Sequence, residues 1–488
     1  MKYILSLDDI VNVTNGELIC GNKETKCEDF KIDSRLIEKD NVFIGINGES
    51  FDGGKAYKNA FENGAIGVIV NDYIDIDFNQ IKDFVDEANP ANSKCFILKV
   101  KDTTKALGEI ASFKRDKSNV PVVCVTGSVG KTSTKDIISS VLSTEYKVLR
   151  TEGNMNNNLG LPMTILGLKD EQVLVLEMGM NHLGEIHELS LIAKPNVAVI
   201  TSVGTAHIGN LGSRENILKA KLEILDGIQK EIVLDNGLKI EGTLIINNDN
   251  DMLHDWKEDL VFTIKDYQID LPDCRKYSIK TVGIKNDSDY MAKDIEYNEN
   301  SSNYKVDNNV VEISVGGEAY VYNSLLGYAV GKIFNIKDDK IVKGIKDFVL
   351  TKNRLDIEES SKGYKIIDGT YNANYDSMLS SIDVLEKMKG KRRIIVVGDM
   401  LELGEFSEEI HTNLGKELVN KNIDIFLTVG EEIKYTAEVL KENKKEVYEF
   451  TNNEMAIKRL QDILQDGDII LIKASNSMRF KEIVDAIK

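Results

Sequence analysis

Short apolar runs alternate along this chain with segments in which apolar residues recur every three or four positions. Those are the rhythms of buried strand and amphipathic helix. The runs Val122-Val-Cys-Val125, Val173-Leu-Val-Leu176 and Val197–Thr201 predict parallel strands, each ending in polar residues. The same rhythm returns from about residue 352, with candidate strands at Lys365–Asp368, Arg393–Val397, Ile425–Val429 and Ile469–Lys473. Between these regions, residues from about 262 to 318 are rich in Lys, Asp, Asn, Tyr and Val. Their alternation predicts a small antiparallel sheet. The pattern defines an α/β protein with two doubly wound units, whose strand ends should line a crevice.

The 488 residues suffice for about three domains. The polar stretch Lys114–Asn119 and Pro121 precede the first central strand, so a boundary is placed there. The expected domains are 1–118, 119–320 and 321–488. Composition narrows the class. There are 80 acidic against 61 basic side chains, a formal net charge of −19. Non-specific binding to nucleic acid or an anionic membrane is therefore not expected, and any anionic ligand needs a local cluster of positive groups. The start, MKYILSLDDIVNVTNGE, carries acidic residues where a signal peptide needs apolar ones. No apolar run approaches the roughly 18 residues of a membrane span. The five cysteines form no CxxC pair, so neither a zinc site nor a disulfide framework is expected. A cytoplasmic enzyme fits these features.

The chemistry begins at Val125-Thr-Gly-Ser-Val-Gly-Lys-Thr-Ser-Thr134, where a strand runs into a Gly-rich loop and then a helix, Ser133–Leu142. Glycines let backbone N–H groups approach phosphate oxygens. Lys131 offers a positive head to the β/γ-phosphates, and Thr132 a hydroxyl to Mg²⁺. The Gly usual five residues before Gly130 is Val125, which makes this a variant of the loop. Glu177 follows an apolar run and stands where a Mg²⁺-linked acid belongs; a solvated strand-end glutamate is the plain alternative. His207, in Thr201-Ser-Val-Gly-Thr-Ala-His207, has similar placement, although a lone histidine is more often structural. Lys221 reads as a surface helix lysine. The turn Gly153-Asn-Met-Asn-Asn-Asn-Leu-Gly160 and the stretch Asp368–Ser377 are built for hydrogen bonding rather than packing.

Together these stretches resemble the Mur ligase family, ATP-dependent amide ligases of peptidoglycan precursor synthesis. The resemblance covers nearly the whole chain. It includes Ile32-Asp-Ser-Arg35, Phe43–Glu49 and Asp52-Gly53; then Thr126–Thr134, Thr151–Pro162, Glu177–Glu185, Ala206-His207, Gly212-Ser213 and Ala220-Lys221. It continues through Arg354, Asp368, Tyr371-Asn-Ala-Asn374, Gly398-Asp-Met-Leu-Glu-Leu-Gly404 and Ser475–Arg479. The YNAN and GDMLELG strings belong to the dipeptide-adding branch.

The resemblance implies a UDP-sugar-binding domain, a central P-loop-type ATPase domain and a C-terminal Rossmann-like domain. It implies ATP and Mg²⁺, the substrates UDP-N-acetylmuramoyl-tripeptide and D-alanyl-D-alanine, and a monomer. By the same carry-over, Thr126, Gly127, Ser128, Val129, Gly130, Lys131, Thr132 and Ser133 hold the phosphates. Thr132, Glu177, His207 and Lys221 surround metal, Lys221 as a carbamate, and Lys131, Glu177, His207 and Lys221 are the catalytic group. Asn323 approaches the adenine, and Arg354 and Asp368 bring the third domain to phosphates and ribose. Ser34 and Arg35 hold the UDP moiety, Asn47, Asp52 and Asn157 also bind substrate, and Asn372 and Asn374 hold the peptide or dipeptide. Gly54, Ala319, Tyr320, Gly369, Tyr375 and Ala474 depart from the family pattern. They leave room for a relative that joins a different amine. A folylpolyglutamate- or cyanophycin-type ligase would lack the Asp-Ser-Arg and Asn-Gly-Glu pattern, and a non-catalytic nucleotide-binding regulator would not need the catalytic group intact.

Overall fold

The computed structural model describes residues 3–86, 88–258, 277–299, 301–349 and 356–488. The N-terminal unit is built on a five-stranded sheet in the order Glu17–Cys20, Phe96–Val100, Gly67–Asn71, Val42–Ile44, Phe30–Lys31. The first pair is antiparallel and the rest parallel. Helix Thr103–Ser118 ends this unit. Asp102 Oδ1 caps its start by accepting the Thr104 and Lys105 N–H groups, and Asn119, at φ +49°, stops it. Its other face packs on the central helices Gly160–Leu166 and Glu185–Ala193. There the buried Lys114 Nζ donates to Leu166 O at 2.6 Å and Arg115 Nε to Ala193 O at 3.0 Å.

The central unit carries a seven-stranded parallel sheet in the order Tyr290–Met291, Ser278–Gly283, Thr243–Asn247, Val197–Ile200, Val122–Thr126, Val173–Glu177, Val148–Arg150. The middle strands are buried throughout because helices cover both faces, which explains their unbroken apolar runs. The antiparallel sheet expected from 262 to 318 is present but shorter. It comprises Lys293–Tyr297, Ser302–Val306 and Asn309–Ile313, while Ser278–Gly283 and Tyr290–Met291 extend the parallel sheet instead. Helix Glu318–Ile333 packs on Ser278–Gly283, whose second half is buried and which is paired on both sides. The part of that expectation from 262 to 276 lies outside the described residues.

The limit expected at 320/321 falls inside helix Glu318–Ile333. That helix and Asp338–Lys346 both pack on Lys131–Leu142. A Cβ at Gly327 would lie 2.6 Å from Ile137 Cγ2, so the two helices meet at glycine contact distance.

The third unit is a six-stranded sheet in the order Asp356–Glu359, Lys365–Asp368, Asp468–Lys473, Arg392–Gly398, Ile425–Val429, Val447–Phe450, antiparallel only at its first pair. The strand that closes the chain lies between the second and third strands of this unit. Their carboxyl ends therefore open a crevice toward the central sheet. Among the described residues, no helix is long and apolar enough to cross a membrane.

Candidate active site

The phosphate loop forms where strand Val122–Thr126 ends. Val125 is the fourth residue of that strand, paired with Glu177 and Val199, so the glycine missing from position 125 is not needed there. The turn comes two residues later. A Cβ at Gly127 would lie 1.9 Å from Thr201 Oγ1, and Gly130, at φ +85°, packs under Asn323 Oδ1. The next strand's end fixes the loop from below: Ser128 N donates to Ser202 O at 2.9 Å and Val129 N to Ser202 Oγ at 3.1 Å. Thr126 Oγ1 is tied to Met178 O at 3.0 Å. Lys131 then opens helix Lys131–Leu142 and donates Nζ to Gly127 O at 2.8 Å.

Thr132 Oγ1 donates to Glu177 Oε2 at 2.7 Å, with both residues almost fully buried. The other carboxylate oxygen accepts Asn156 Nδ2 at 2.9 Å, and Thr151 Oγ1 accepts the Glu177 N–H at 3.0 Å. Asn156, from the asparagine-rich turn, thus orients the carboxylate beside the Thr132 hydroxyl. Asn157 accepts the N–H groups of Leu159 and Gly160 and caps the following helix.

His207, at φ +64°, lines the same cleft, its Nδ1 2.6 Å from Glu402 Oε2. That contact, opposed by burial, holds the Glu402 carboxyl below its ordinary range. Lys221 is not the surface lysine its helix pattern suggests: only 2% of it is exposed. Burial above all, and then the charge of Lys131, push its ammonium well below the ordinary lysine range, while Asp376 works the other way. Among the described residues it makes no ion pair.

A cleft of about 450 Å³ separates these groups from the third unit. Ser128, Lys131, Asn156, Glu177, His207 and Asn323 line one wall, and Asn372, Asn374, Ser377, Glu402 and Lys473 the other. The walls also touch. Thr205 N donates to Asp376 Oδ2 at 3.1 Å, Gly209 N to Glu402 O at 3.1 Å, and Asn374 Nδ2 to Ser128 O at 3.4 Å.

Some expected residues stand elsewhere. Asp368 is 1% exposed and does not line the cleft; Thr370 and Lys481 take up its oxygens. Arg354 lies outside the described residues. Ser34, Arg35, Asn47 and Asp52 belong to the N-terminal unit, away from the cleft lining. Arg35 pairs with Asp33, and Asp52 bridges Asn47 and accepts Tyr73 Oη at 3.0 Å. Position 54 is crowded, because a Cβ there would lie 2.9 Å from Ile74 Cγ1. Ala319 and Tyr320 flank Asn323 in the cleft. Sequence reasoning missed Asn156, Glu402 and Lys473 as individual cleft residues.

Among the described residues, no three His, Cys, Asp or Glu side chains converge as a metal centre. Mg²⁺ at a nucleotide uses few protein ligands, completed by phosphate oxygens and water. The Thr132 hydroxyl beside the single Glu177 carboxylate fits that role.

Strand, glycine-rich loop, helix and a strand-end acid define a nucleoside-triphosphate site, closed over by a Rossmann-like unit. Residues 29–115 match the Mur ligase family catalytic domain, residues 125–331 the Mur ligase middle domain, and residues 353–476 the Mur ligase glutamate ligase domain. The chain is 34% identical to the UDP-N-acetylmuramoyl-tripeptide–D-alanyl-D-alanine ligase of Bacillus subtilis (strain 168), over 93% of this chain and 91% of that one. It is also similar to the crystal structure of MurF from Acinetobacter baumannii, with a TM-score of 0.83, 28% identity, and 99% and 98% of the two chains covered. MurF ligase from Thermotoga maritima in complex with ADP gives a TM-score of 0.76 at 27% identity, over 94% and 97%. The chain belongs to the Mur ligase family.

Proposed function

We propose that this protein is an ATP-dependent, ADP-forming ligase that joins D-alanyl-D-alanine to UDP-N-acetylmuramoyl-tripeptide in peptidoglycan precursor synthesis. The observation that carries the reading is the cleft itself. The phosphate loop with the Thr132–Glu177 pair faces a wall from the third unit that bears Asn372, Asn374 and Lys473. A phosphoryl donor and an amine acceptor can therefore meet there. The names of the relatives supply the two substrates.

A free carboxylate is a poor acyl donor because its leaving group would be oxide. In the proposed reaction, a carboxylate oxygen of the tripeptide attacks the γ-phosphorus of ATP. ADP leaves and an acyl phosphate forms. The neutral amine of the dipeptide then adds to the acyl carbon, inorganic phosphate departs with its electron pair, and the amine proton is lost. Lys131 offsets negative charge on the γ-phosphoryl oxygens, and the loop N–H groups and helix start hold the phosphates in line. Thr132 and Glu177 would hold Mg²⁺, with His207 as a further ligand from the next strand end. When bound, Mg²⁺ neutralises charge on the phosphate oxygens.

Lys221 is read as a carbamate: its buried amine, kept neutral, adds to CO₂ with release of one proton and becomes an anionic group. Its burial and the neighbouring Lys131 support this. Ser34, Arg35, Asn47 and Asp52 are read as holding the UDP moiety and Asn323 as approaching the adenine. Arg354 and Asp368 are read as acting with the nucleotide when the third domain is in place, Asp368 through the Thr370 turn. We take the domains as 1–118, 119 to about 349, and the remainder, because helices Glu318–Ile333 and Asp338–Lys346 pack with the central sheet.

The test is to combine the protein with ATP, Mg²⁺, D-alanyl-D-alanine and each UDP-muramoyl-tripeptide, diaminopimelate- or lysine-containing, and weigh the products. A product heavier by the dipeptide less water, with one ADP formed per product, is expected. ATP binding with no turnover on adding both substrates would favour a regulator and contradict the ligase.

A further inference from the structure

Lys473 stands at the carboxyl end of strand Asp468–Lys473, the strand neighbouring Lys365–Asp368 and Arg392–Gly398. It is 6% exposed, and Nζ donates to Asn372 O at 2.7 Å and Gly369 O at 3.3 Å. The ammonium is thereby set into the cleft wall beneath the Asn372 loop. Asn372 itself is exposed there. Its Oδ1 accepts Ala373 N at 2.9 Å and Asn476 N at 3.3 Å, which fixes the amide and leaves Nδ2 as a donor for a ligand. Asn476 Nδ2 donates to Tyr371 O at 2.9 Å and holds the loop from its other side.

The acceptor in the ligase reading carries a neutral amine at one end and a carboxylate at the other. That carboxylate must leave water in a protein of net charge −19, in a cleft that already holds Glu177, Glu185 and Glu402. A local cation and fixed donors are needed to offset the loss of hydration. Among the described residues lining the cleft, the lysines are Lys131 and Lys473. Lys131 belongs to the phosphate loop on the opposite wall.

We propose that Lys473, together with the Asn372 amide, binds the C-terminal carboxylate of the acceptor dipeptide and makes the enzyme selective for acceptors that carry one. The proposal rests on the ligase reading. It directs the amine end toward the Lys131 wall, where the acyl phosphate forms, and gives the third domain a share in choosing the acceptor.

The experiment compares kcat/KM for D-alanyl-D-alanine with that for its C-terminal amide, in the wild type, Lys473→Gln and Lys473→Arg. The wild type should prefer the free carboxylate by about ten- to a hundred-fold. Lys473→Gln should lose most of that preference and Lys473→Arg keep much of it, while KM for ATP stays within about twofold. A merely structural lysine would depress both acceptors alike and leave the ratio unchanged, which would overturn the proposal. So would a wild type indifferent to the carboxylate. Should Lys473→Gln show no folded melting transition, Asn372→Ala carries the same ratio test: a reduced preference supports the proposal and an unchanged one overturns it. Absence of ligated product from either acceptor in the wild type would instead remove the ligase reading, and the proposal with it.

Discussion

Asp376 and Thr205 join the two walls of the cleft: the Thr205 N–H donates to Asp376 Oδ2 at 3.1 Å, beside a glycine at 204. A Cβ on Gly204 would lie 2.0 Å from that same oxygen. The glycine is required by the docking of the third domain, since its own backbone needs no left-handed conformation. Gly204→Ala should therefore displace the Asp376 carboxylate while leaving the phosphate loop intact. We expect turnover to fall about tenfold or more, the scale of one charge-assisted hydrogen bond. ATP-analogue binding and the melting temperature should be little changed. Stopped-flow product formation beside calorimetric nucleotide binding checks this, and an alanine variant with full turnover would show that the contact does not matter for catalysis.

Lys131→Ala should cost about 10²–10³ in rate, the loss seen when one donor to developing negative charge is removed. Nζ donates to the loop carbonyl of Gly127 at 2.8 Å, and the helix it opens is anchored by buried residues beyond it. The variant should therefore fold normally by circular dichroism. Near-normal turnover would remove the lysine from the mechanism.

Lys221→Ala should abolish most turnover while UDP-tripeptide affinity, which we assign to the N-terminal domain, stays within about twofold of wild type. Acetate or formate, small enough to enter the vacated space, should restore part of the rate by standing in for the carbamate. A cationic lysine acting directly on phosphate predicts loss without rescue. Phosphate release measured with and without added carboxylate separates the two.

A pH-dependent stability effect should come from Lys114, at the seam between the first two domains. Burial lowers its pKa to about 8, from an ordinary value of 10.5 in the unfolded chain. Between those values the unfolded state binds more protons, so this residue makes stability rise with pH from about 8 to 10.5. Below about 8 the penalty is constant, about 3 kcal/mol at most. Lys114→Met loses the Leu166 bond but should flatten that rise. Chemical denaturation of both proteins across the window tests the sign, and parallel curves would contradict it.

How much of this was legible from sequence follows from the range of the interactions. Strand, loop and helix from Val122 to Leu142 depend on local periodicity and glycine placement, so the phosphate loop could be read directly. The Thr132–Glu177 pair has a similar basis: Glu177 ends a strand beside Val122–Thr126, and Thr132 stands in the first turn of the helix that the Gly-rich loop leads into. Lys221 could not be read that way: its helix looks polar in sequence, and the lysine is buried by packing of that helix on Glu185–Ala193 and other segments of the central unit distant in sequence. Lys473 looked like the polar end of a strand, and Glu402 like one acid among many; long-range docking gives both their place. The limit expected at 320/321 falls inside helix Glu318–Ile333 because that helix carries no composition change where it begins, and its packing on Lys131–Leu142 is long-range.

In the proposed reaction a carboxylate oxygen of the tripeptide passes to phosphate through an acyl phosphate. UDP-N-acetylmuramoyl-tripeptide labelled with ¹⁸O in its reacting carboxylate, turned over with ATP and D-alanyl-D-alanine, tests it most directly. Each released inorganic phosphate should carry one ¹⁸O, matched to each amide formed. Amide product accompanied by unlabelled phosphate would contradict it.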